Sequence, residues 1–276
     1  MAGCREEERM TQVSISNVWK EYDGQVILEK VNLEVAPHSF VSIVGPSGCG
    51  KSTFLRMLLS QEIPSRGEIR IDGAPLPPEP TEERGVVFQR YSVFPHLTVL
   101  QNVAFGLEMK AAPVLGRLFG ASRRALFDQC REIITAVGLD HARDKYPAQL
   151  SGGMQQRLAI AQALIKKPKV LLLDEPFGAL DPGIRADMHE LMLTLFEETG
   201  LTVFMVTHDL KEAFHLGTRL IAFDHYRTRP EERGVYGATI TFDLPLERTS
   251  SKQKTEAMSV LKDRLGTAGE SEFFTH

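Results

Sequence analysis

The sequence lacks any apolar run long enough to cross a membrane. Its longest purely apolar stretches, such as residues 170–173 and 203–206, have the length of a β-strand, whereas a membrane-spanning helix needs about 20 apolar residues. The first ten residues carry charges of both signs and lack the apolar stretch and small-residue cleavage site of a secretory signal. We therefore expect a cytoplasmic chain that does not itself enter a membrane.

The sequence also contains few cysteines and no excess of positive charge. The three cysteines, Cys4, Cys49 and Cys130, are odd in number and lack metal-ligand spacing, which argues against a disulfide framework and against a zinc site. Lys and Arg number 32 against 36 Asp and Glu, for a net charge of −4 and a pI near 6.1. Because nucleic-acid binders concentrate positive charge, nucleic acid is not an expected partner.

The pattern of apolar residues predicts an α/β fold. The 276 residues are 42% hydrophobic, enough for a proper core. Predicted strands at 13–18 and 26–35 alternate in polarity and form an antiparallel lead-in sheet. Strands alternating with helices then indicate a mostly parallel sheet covered by helices on both faces. These strands lie at 40–44, 67–72, 85–88, 169–174 and 201–206, and the helices at 52–61, 155–166, 184–199 and from 210 onward.

Three segments interrupt or follow this core. Prolines in residues 74–80 predict an irregular loop. Residues 91–150 contain helical patterns without a convincing strand, which predicts a helical insertion; within it, 111–124 is either a variable surface excursion or a contact with a membrane partner or its lipid headgroups. After a charged loop at 226–234, an edge strand at 238–242 and a last helix marked by Met258, Leu261 and Leu265 complete the chain.

A glycine-rich loop, GPSGCGKST, lies between a predicted strand and a predicted helix. Its backbone N–H groups and the helix N-terminus suit phosphate oxygens, its lysine suits the β- and γ-phosphates, and the following hydroxyl of Ser52 suits Mg²⁺. Cys49 occupies a position that needs only a small side chain, and a thiol reagent is expected to reach it. The predicted nucleotide-binding residues are Gly45, Pro46, Ser47, Gly48, Cys49, Gly50, Lys51, Ser52 and Thr53.

Two adjacent acids, Asp174 and Glu175, follow four apolar residues at the end of a predicted strand. Burying both without a cation would be costly, and ligands bind at the carboxyl ends of parallel strands. We therefore expect Asp174 to be a direct or indirect Mg²⁺ ligand. Glu175 is the candidate to orient or deprotonate an attacking water.

Three further residues are weaker signals on their own. Gln89, between the core and the helical insertion, is able to contact Mg²⁺ or water and to report nucleotide state to the insertion. His208 is either a γ-phosphate contact or a capping or core histidine. Tyr22, in the turn 21–24, either stacks on adenine or covers an edge of the core.

Together with LSGGMQQ at 150–156, these motifs resemble the ATP-binding cassette (ABC) ATPases over residues 12–225. LSGGMQQ is the discriminating motif, because other phosphate-loop enzymes lack it. The resemblance implies that Ser151, Gly152 and Gly153 complete the ATP site of a second copy, and that Asp181 lies at the seam between the copies. A serine and two glycines at a helix start do offer N–H donors to a phosphate.

The sequences of residues 94–99 (FPHLTV) and 174–181 (DEPFGALD) are similar to those of bacterial importer ATPases, especially of the nitrate, sulfonate and taurine group. The resemblance implies that the groove near Gln89 to Pro95 receives a coupling helix from a separate membrane permease. It also implies a periplasmic or lipid-anchored solute-binding protein. The tail does not resemble the regulatory β-domain of sugar-importer ATPases.

The sequence is therefore interpreted as an energy-coupling ATPase whose two copies sandwich ATP and Mg²⁺ at the inner face of the membrane. Two alternatives stay open: an exporter ATPase with separate membrane subunits, and a soluble ABC protein acting on translation or DNA. The second class typically has two cassettes or a long coiled coil, which are missing here. The predicted domains are an ATPase domain at 12–225, with its core at 12–90 and 155–225 and a helical subdomain at 91–154, and an extension at 226–276.

Overall fold

The computed structural model describes residues 11–89, 92–111, 120–225, 235–246 and 251–266. The chain divides into two compact units: unit 1 comprises Met1–Thr81 and Phe196–His276, and unit 2 comprises Glu82–Leu195. The predicted loop at 226–234 and the middle of the predicted excursion, 112–119, lie outside the described residues.

Strands and helices follow one another in the order expected for an α/β chain. The strands are β1 (Val13–Tyr22), β2 (Gln25–Val35), β3 (Phe40–Val44), β4 (Arg66–Ile71), β5 (Ala74–Pro75), β6 (Arg84–Val87), β7 (Val170–Asp174), β8 (Thr202–Val206), β9 (Arg219–Asp224) and β10 (Thr239–Pro245). The helices are α1 (Lys51–Leu58), α2 (Val99–Ala111), α3 (Gly120–Ala136), α4 (Gly152–Leu164), α5 (Pro182–Thr199), α6 (Leu210–Leu216) and α7 (Ser251–Gly266). Two short 3₁₀ turns, Asp140–Ala142 and Pro147–Gln149, precede α4.

Unit 1 begins with the predicted antiparallel lead-in sheet, in the order β2-β1-β4-β5. Tyr22 pairs with Gln25 across a two-residue turn. The turn residues Asp23 and Gly24 have φ of 48° and 81°. Two central residues with positive φ are the requirement of a type I′ hairpin turn, which Asp-Gly satisfies well. The local sequence thus fixes where β1 ends.

The parallel strands of unit 1 surround β3. Strand β3 pairs in parallel with β8 on one side and with β9 on the other, and β10 adds to β9 antiparallel. All five residues of β3 and of β8 are buried, which matches strands covered on both faces. Since parallel strands end at one edge, the segments after β3, β8 and β9 leave the sheet on the same side.

The C-terminal elements of unit 1 cover a hydrophobic cluster formed with β3, α6 and β9. Leu246 and Leu261 are each 1% exposed, and they pack with side chains of β3, α6 and β9. The predicted edge strand and last helix are thus confirmed as β10 and α7. The other buried members of the cluster are Val44, Leu210, Ala213, Phe214, Leu220 and Ala222.

Unit 2 contains the parallel pair β6 and β7 and the helices α2, α3 and α4. Val87 pairs with Leu173, so these two strands also end together. In α3 the buried residues are Leu126, Cys130 and Ile134, four apart, as expected for a helix that buries one face. Burial raises the pKa of the Cys130 thiol to about 12, with a smaller contribution from Glu108.

Three local predictions were wrong, each for a physical reason. Helix α4 starts three residues before the predicted Gln155, because Ser151 caps it. Helix α1 ends earlier than predicted, since Ser60 has a left-handed φ of 60°. The predicted loop at 74–80 begins with β5, an edge position that tolerates proline. Residues 120–124 of the predicted excursion form the start of α3.

Strand β9 is not predicted by the periodicity analysis. Its residues Leu220 to Phe223 are apolar and buried, and the strand ends in Asp224. An apolar run that ends in an acid is the same signal that predicted β7. The signal for a strand is weaker here, because only Gly217 and Thr218 separate β9 from the preceding short helix α6.

Candidate functional site

The glycine-rich loop of unit 1 is shaped by its backbone. Gly45 follows β3 directly, and a Cβ at this position would lie 2.3 Å from the backbone oxygen of Phe223. Gly50 caps α1 with a left-handed φ of 93°, which an L side chain rarely adopts. Glycine is therefore required at both ends of the loop, and the loop delivers Lys51 as the first residue of α1.

The ammonium group of Lys51 lies inside the loop. Its Nζ donates to the carbonyl oxygens of Gly45 at 2.7 Å and Pro46 at 2.8 Å, and the side chain is buried. These bonds hold a positive charge at the centre of a ring of backbone groups, beside the N-terminus of a helix. Both the cation and the helix dipole favour an anion such as a phosphate.

The other loop residues are distributed around this cation. Ser47 and Gly48 are exposed, Pro46 and Gly50 are partly exposed, and the Ser52 and Thr53 side chains are partly buried in the first turn of α1. The hydroxyl of Ser52 thus lies one residue after the buried lysine. This arrangement is the one expected for a residue that binds Mg²⁺ next to bound phosphates.

Cys49 corrects the expectation of an accessible thiol. The side chain is 1% exposed, and its Sγ lies 3.9 Å from the Lys51 Nζ. Burial raises its pKa, although the nearby lysine opposes this. Since the thiolate is the reactive form, a reagent in solution meets neither an exposed nor an ionised sulfur. Cys49 therefore acts here as a small buried residue of the loop.

His208 follows β8 at the edge of the sheet where the glycine-rich loop begins. Val206 pairs with Ile43, and the N–H of Thr207 donates to the Ile43 carbonyl at 3.1 Å. Two strands in this register bring the segments after Val44 and after Thr207 to neighbouring positions. The His208 side chain is exposed, and the capping residue of α6 is its neighbour Asp209. The histidine therefore does not serve as the cap.

Tyr22 lies in the first sheet, at the end of β1, and is 37% exposed. Its hydroxyl lies close to the side chains of Glu62 and Thr53. The second of these links the tyrosine to the first turn of α1, which also carries Lys51 and Ser52. Unit 1 thus brings Tyr22 to the glycine-rich loop through Thr53.

In unit 2, Gln89 and Glu175 meet where β6 and β7 end. The Gln89 Nε2 donates to the Glu175 Oε2 at 3.4 Å. The carboxylate follows Asp174, the last residue of β7, and both acidic side chains are partly exposed. An amide donor beside a carboxylate at a strand end is able to fix the carboxylate's orientation without neutralising it, as a residue that binds water requires.

The backbone of Glu175 is strained. Its φ is 46°, a left-handed value that costs a non-glycine residue about 1–3 kcal/mol. Such strain is found preferentially at functional sites, where the surrounding structure imposes it. The sharp turn after β7 directs the glutamate away from the path of the strand.

Ser151, Gly152 and Gly153 lie at the start of α4. The Ser151 Oγ accepts from the Met154 N–H at 3.3 Å, so the serine is the N-cap. Ser151 and Gly152 are exposed, whereas Gly153 is buried against Ile184. The helix therefore presents a hydroxyl and N–H groups at its positive end.

Sequence reasoning missed Asn102, which organises the loop before α2. This side chain is 2% exposed. Its Oδ1 accepts from the Phe94 N–H at 2.8 Å, and its Nδ2 donates to the carbonyls of Phe94, Leu97 and Thr98 at 3.1, 2.9 and 3.0 Å. The sequence signal was the capping box of Thr98 and Gln101, which marks the start of the helix that carries Asn102.

The same asparagine also contacts the helix that carries the LSGGMQQ motif. The Gln162 Nε2, on α4, donates to the Asn102 Oδ1 at 3.2 Å and to its backbone oxygen at 3.3 Å. The Phe94 ring is partly exposed and lies 4.5 Å from the Phe105 ring, centroid to centroid. The loop at 94–98 is thus a fixed surface feature of unit 2.

The predicted site residues form two sets, one in each unit. Unit 1 brings together the loop 45–53, Tyr22 and His208. Unit 2 brings together Gln89, Asp174 and Glu175, and it also contains Ser151 to Gly153 at the start of α4. Among the described residues, no group of three or more His, Cys, Asp or Glu is arranged to hold a metal ion. Within the same residues, every helix is too short or too polar to span a membrane.

Comparison with known proteins identifies the family these sets belong to. The family model described as ABC transporter matches residues 28–178. An uncharacterised ABC transporter ATP-binding protein of Methanocaldococcus jannaschii is 36% identical over 269 residues, covering 95% of this chain and 96% of that protein. A sulfate/thiosulfate import ATP-binding protein of Pseudomonas aeruginosa is 42% identical over 214 residues, covering 77% of this chain and 64% of that protein.

A solved structure is similar in both sequence and fold. It is a dimeric ATP-binding cassette in a post-hydrolysis state, bound to ADP and phosphate, with a TM-score of 0.66 and 34% identity over 85% of this chain and 98% of the other. This likeness confirms the predicted fold class, a phosphate-loop α/β core with an antiparallel lead-in sheet and a helical insertion.

Proposed function

The chain belongs to the ABC transporter family and is an ATP-binding ATPase subunit of a transporter, and from this premise we propose that it powers an importer of a small solute. In the proposal, two copies sandwich two ATP molecules, and closure of the pair drives separate membrane permease subunits. The ATPase domain is residues 12–225, and 226–276 is an extension. The named import activity of the Pseudomonas relative supports the direction of transport.

The loop 45–53 binds the phosphates in this proposal. The enclosed Lys51 ammonium supplies the positive charge for the β- and γ-phosphates, and the loop N–H groups surround their oxygens. Tyr22 stacks on the adenine, and His208 contacts the γ-phosphate from the end of β8. Each of these residues lies at, or close to, the part of unit 1 from which α1 starts.

A magnesium ion fits the oxygen donors of this chain. Mg²⁺ prefers oxygen ligands and is commonly held by one or two protein groups together with substrate phosphates. The hydroxyl of Ser52, the carboxylate of Asp174 and the amide oxygen of Gln89 are the proposed donors. When bound, the ion neutralises charge that develops on the phosphates during transfer.

Glu175 orients and deprotonates the attacking water in this proposal. The observation that carries it is the Glu175 carboxylate, turned out of the strand by a left-handed backbone and hydrogen-bonded by Gln89 at 3.4 Å. The amide contact orients the carboxylate, which in this proposal accepts a proton from water. Ser151, Gly152 and Gly153 contact the γ-phosphate held by the other copy, through the positive end of α4.

The permease contact is proposed at the groove from Gln89 to Pro95, of which residues 90–91 lie outside the described residues. Phe94 is partly exposed, Pro95 is exposed, and Asn102 fixes the loop that carries them. The sequences of residues 94–99 and 174–181 support a transported solute of the nitrate, sulfonate or taurine class, delivered by a separate solute-binding protein. The chain would then be a peripheral protein of the inner membrane face.

Replacement of Glu175 by glutamine tests this function. Glu175→Gln removes the base but keeps the size and the contact to Gln89, so we expect ATP hydrolysis to fall by about 10²–10⁴-fold while ATP binding persists. Glu190→Gln, an exposed acid in the same unit, is the matched control and should hydrolyse ATP at the wild-type rate. Undiminished turnover by Glu175→Gln would refute the assignment of the base.

A further inference from the structure

The ring of Tyr22 is covered on one face by a cation. The Lys20 Nζ lies over the ring, 4.6 Å from its centroid, where the π electrons attract a positive charge. The two residues are separated by one position in β1, so their side chains lie on the same side of the strand. A ring covered in this way is able to stack on a flat ligand through its opposite face.

Lys20 itself is held by two further contacts. Its Nζ donates to the Glu62 Oε2 at 2.8 Å and to the Ile63 carbonyl at 3.0 Å. Lys20 is only 8% exposed. An ammonium group has three N–H donors. Two hydrogen bonds and the contact with the Tyr22 ring therefore occupy all three N–H groups of Lys20. The lysine is therefore a fixed support, unlike an exposed lysine that samples many rotamers.

The other end of the tyrosine is fixed by the same glutamate. The Glu62 carboxylate and the Thr53 side chain both lie close to the Tyr22 hydroxyl. Burial, and then this glutamate, raises the pKa of Tyr22, so the hydroxyl stays protonated as a donor near neutral pH. Lys20 lowers the pKa of Glu62, which stays ionised as the acceptor. One ion pair thus restrains both the ring face and the hydroxyl.

We propose that Lys20 and Glu62 are positioning residues that hold the plane of Tyr22 for stacking on the purine base of the nucleotide. This inference rests on the proposed role of Tyr22 in adenine binding and adds the pair that makes the ring rigid. A ring that is already fixed loses little conformational entropy when a base stacks on it. The pair thereby contributes to nucleotide affinity without touching the nucleotide.

Binding of ATP and of inorganic tripolyphosphate separates this role from a merely structural one. Tripolyphosphate has the phosphates but no base. In Lys20→Met and in Glu62→Gln, we expect the Kd of Mg-ATP to rise about fivefold, a part of what base–aromatic stacking contributes. The Kd of Mg-tripolyphosphate should stay unchanged, and this binding also reports that the phosphate loop is folded. Calorimetric titration measures both constants.

Three reference variants sharpen the comparison. Tyr22→Ala sets the largest effect, and Lys20→Arg, which keeps a cation over the ring, should restore much of the ATP affinity. Glu68→Gln removes the partner of Arg70 in another ion pair of the same sheet and should change neither constant. Loss of affinity for both ligands, or for neither, in the Lys20 and Glu62 variants would overturn the inference.

The Tyr22→Ala variant also distinguishes the stacking role of Tyr22 from the positioning role of Lys20 and Glu62. If Tyr22→Ala leaves ATP affinity unchanged, tyrosine stacking fails, and the positioning role fails with it. If Tyr22→Ala weakens ATP binding but the Lys20 and Glu62 variants do not, the stacking stands and the positioning pair alone is refuted.

Discussion

At the scale of single residues, two neighbouring glycines have different reasons to be present. A Cβ at Gly153 would lie 2.4 Å from the Ile184 Cγ2, whereas a Cβ at Gly152 would lie 3.9 Å from the Leu180 Cδ2, an ordinary contact. Gly153 is therefore needed for the packing of α4 on α5. Gly152 is exposed, so its small size leaves room for a ligand instead.

Alanine at these two positions should separate packing from ligand binding. Gly153→Ala should lower the free energy of unfolding by about 1–3 kcal/mol, because the added methyl group overpacks the contact with Ile184. Gly152→Ala should change it by less than about 1 kcal/mol, since alanine favours a helix and meets no close atom. Chemical denaturation measures both. Equal destabilisation of the two variants would contradict the packing assignment.

The residue scale also shows what a motif is unable to tell. The glycine-rich pattern identified Lys51 and Ser52, because their chemistry is tied to their spacing. The same pattern is silent on the burial of Cys49 and on the small contribution by which the distant Asp224 raises the pKa of its thiol. Likewise Lys20 and Glu62 belong to no motif, and their pairing becomes visible only when β1 and the end of α1 are folded.

At the scale of elements, most predicted strands have bounds close to those in the structure, whereas the ends of helices were misplaced and β5 and β9 were not predicted. Strand β3 is a short, mostly apolar run with one polar residue, Ser42, and its predicted bounds match the structure. The start of α4 was misplaced because a serine cap and two glycines do not continue the apolar pattern that identifies a helix. Strand β5 depends on pairing with β4 rather than on its own sequence, so no local pattern predicts it.

The loop at 94–98 is the element whose order depends most on one side chain. Asn102→Ala removes four hydrogen bonds to the loop, and we expect the free energy of unfolding to fall by about 1–3 kcal/mol because buried backbone groups lose partners. The Phe94 amide should exchange with deuterium faster. Gln101→Ala, which removes one cap contact to Thr98, is the control and should leave the Phe94 amide protected. Unchanged exchange at Phe94 in Asn102→Ala would refute this role.

At the scale of the whole molecule, the exposed start of α4 supports the proposal that two chains act as a pair. Ser151 and Gly152 are exposed at the positive end of α4, and within unit 2 their nearest described partners serve packing and capping. In the proposal, the phosphate loop of a second copy receives this serine and glycine, which gives the exposed helix end a phosphate to bind. The similar solved cassette is a dimer.

The mass of the protein in ATP tests this central claim most directly. Light scattering on Glu175→Gln should show 30.8 kDa without nucleotide and twice that mass with Mg-ATP, because ATP that is not hydrolysed keeps two copies together. Adding Ser151→Arg to this variant should preserve ATP binding but keep the lower mass, since the arginine blocks the contact with the other copy's phosphate. A Glu175→Gln protein that binds ATP and stays single, or a double variant that pairs equally well, would contradict the account.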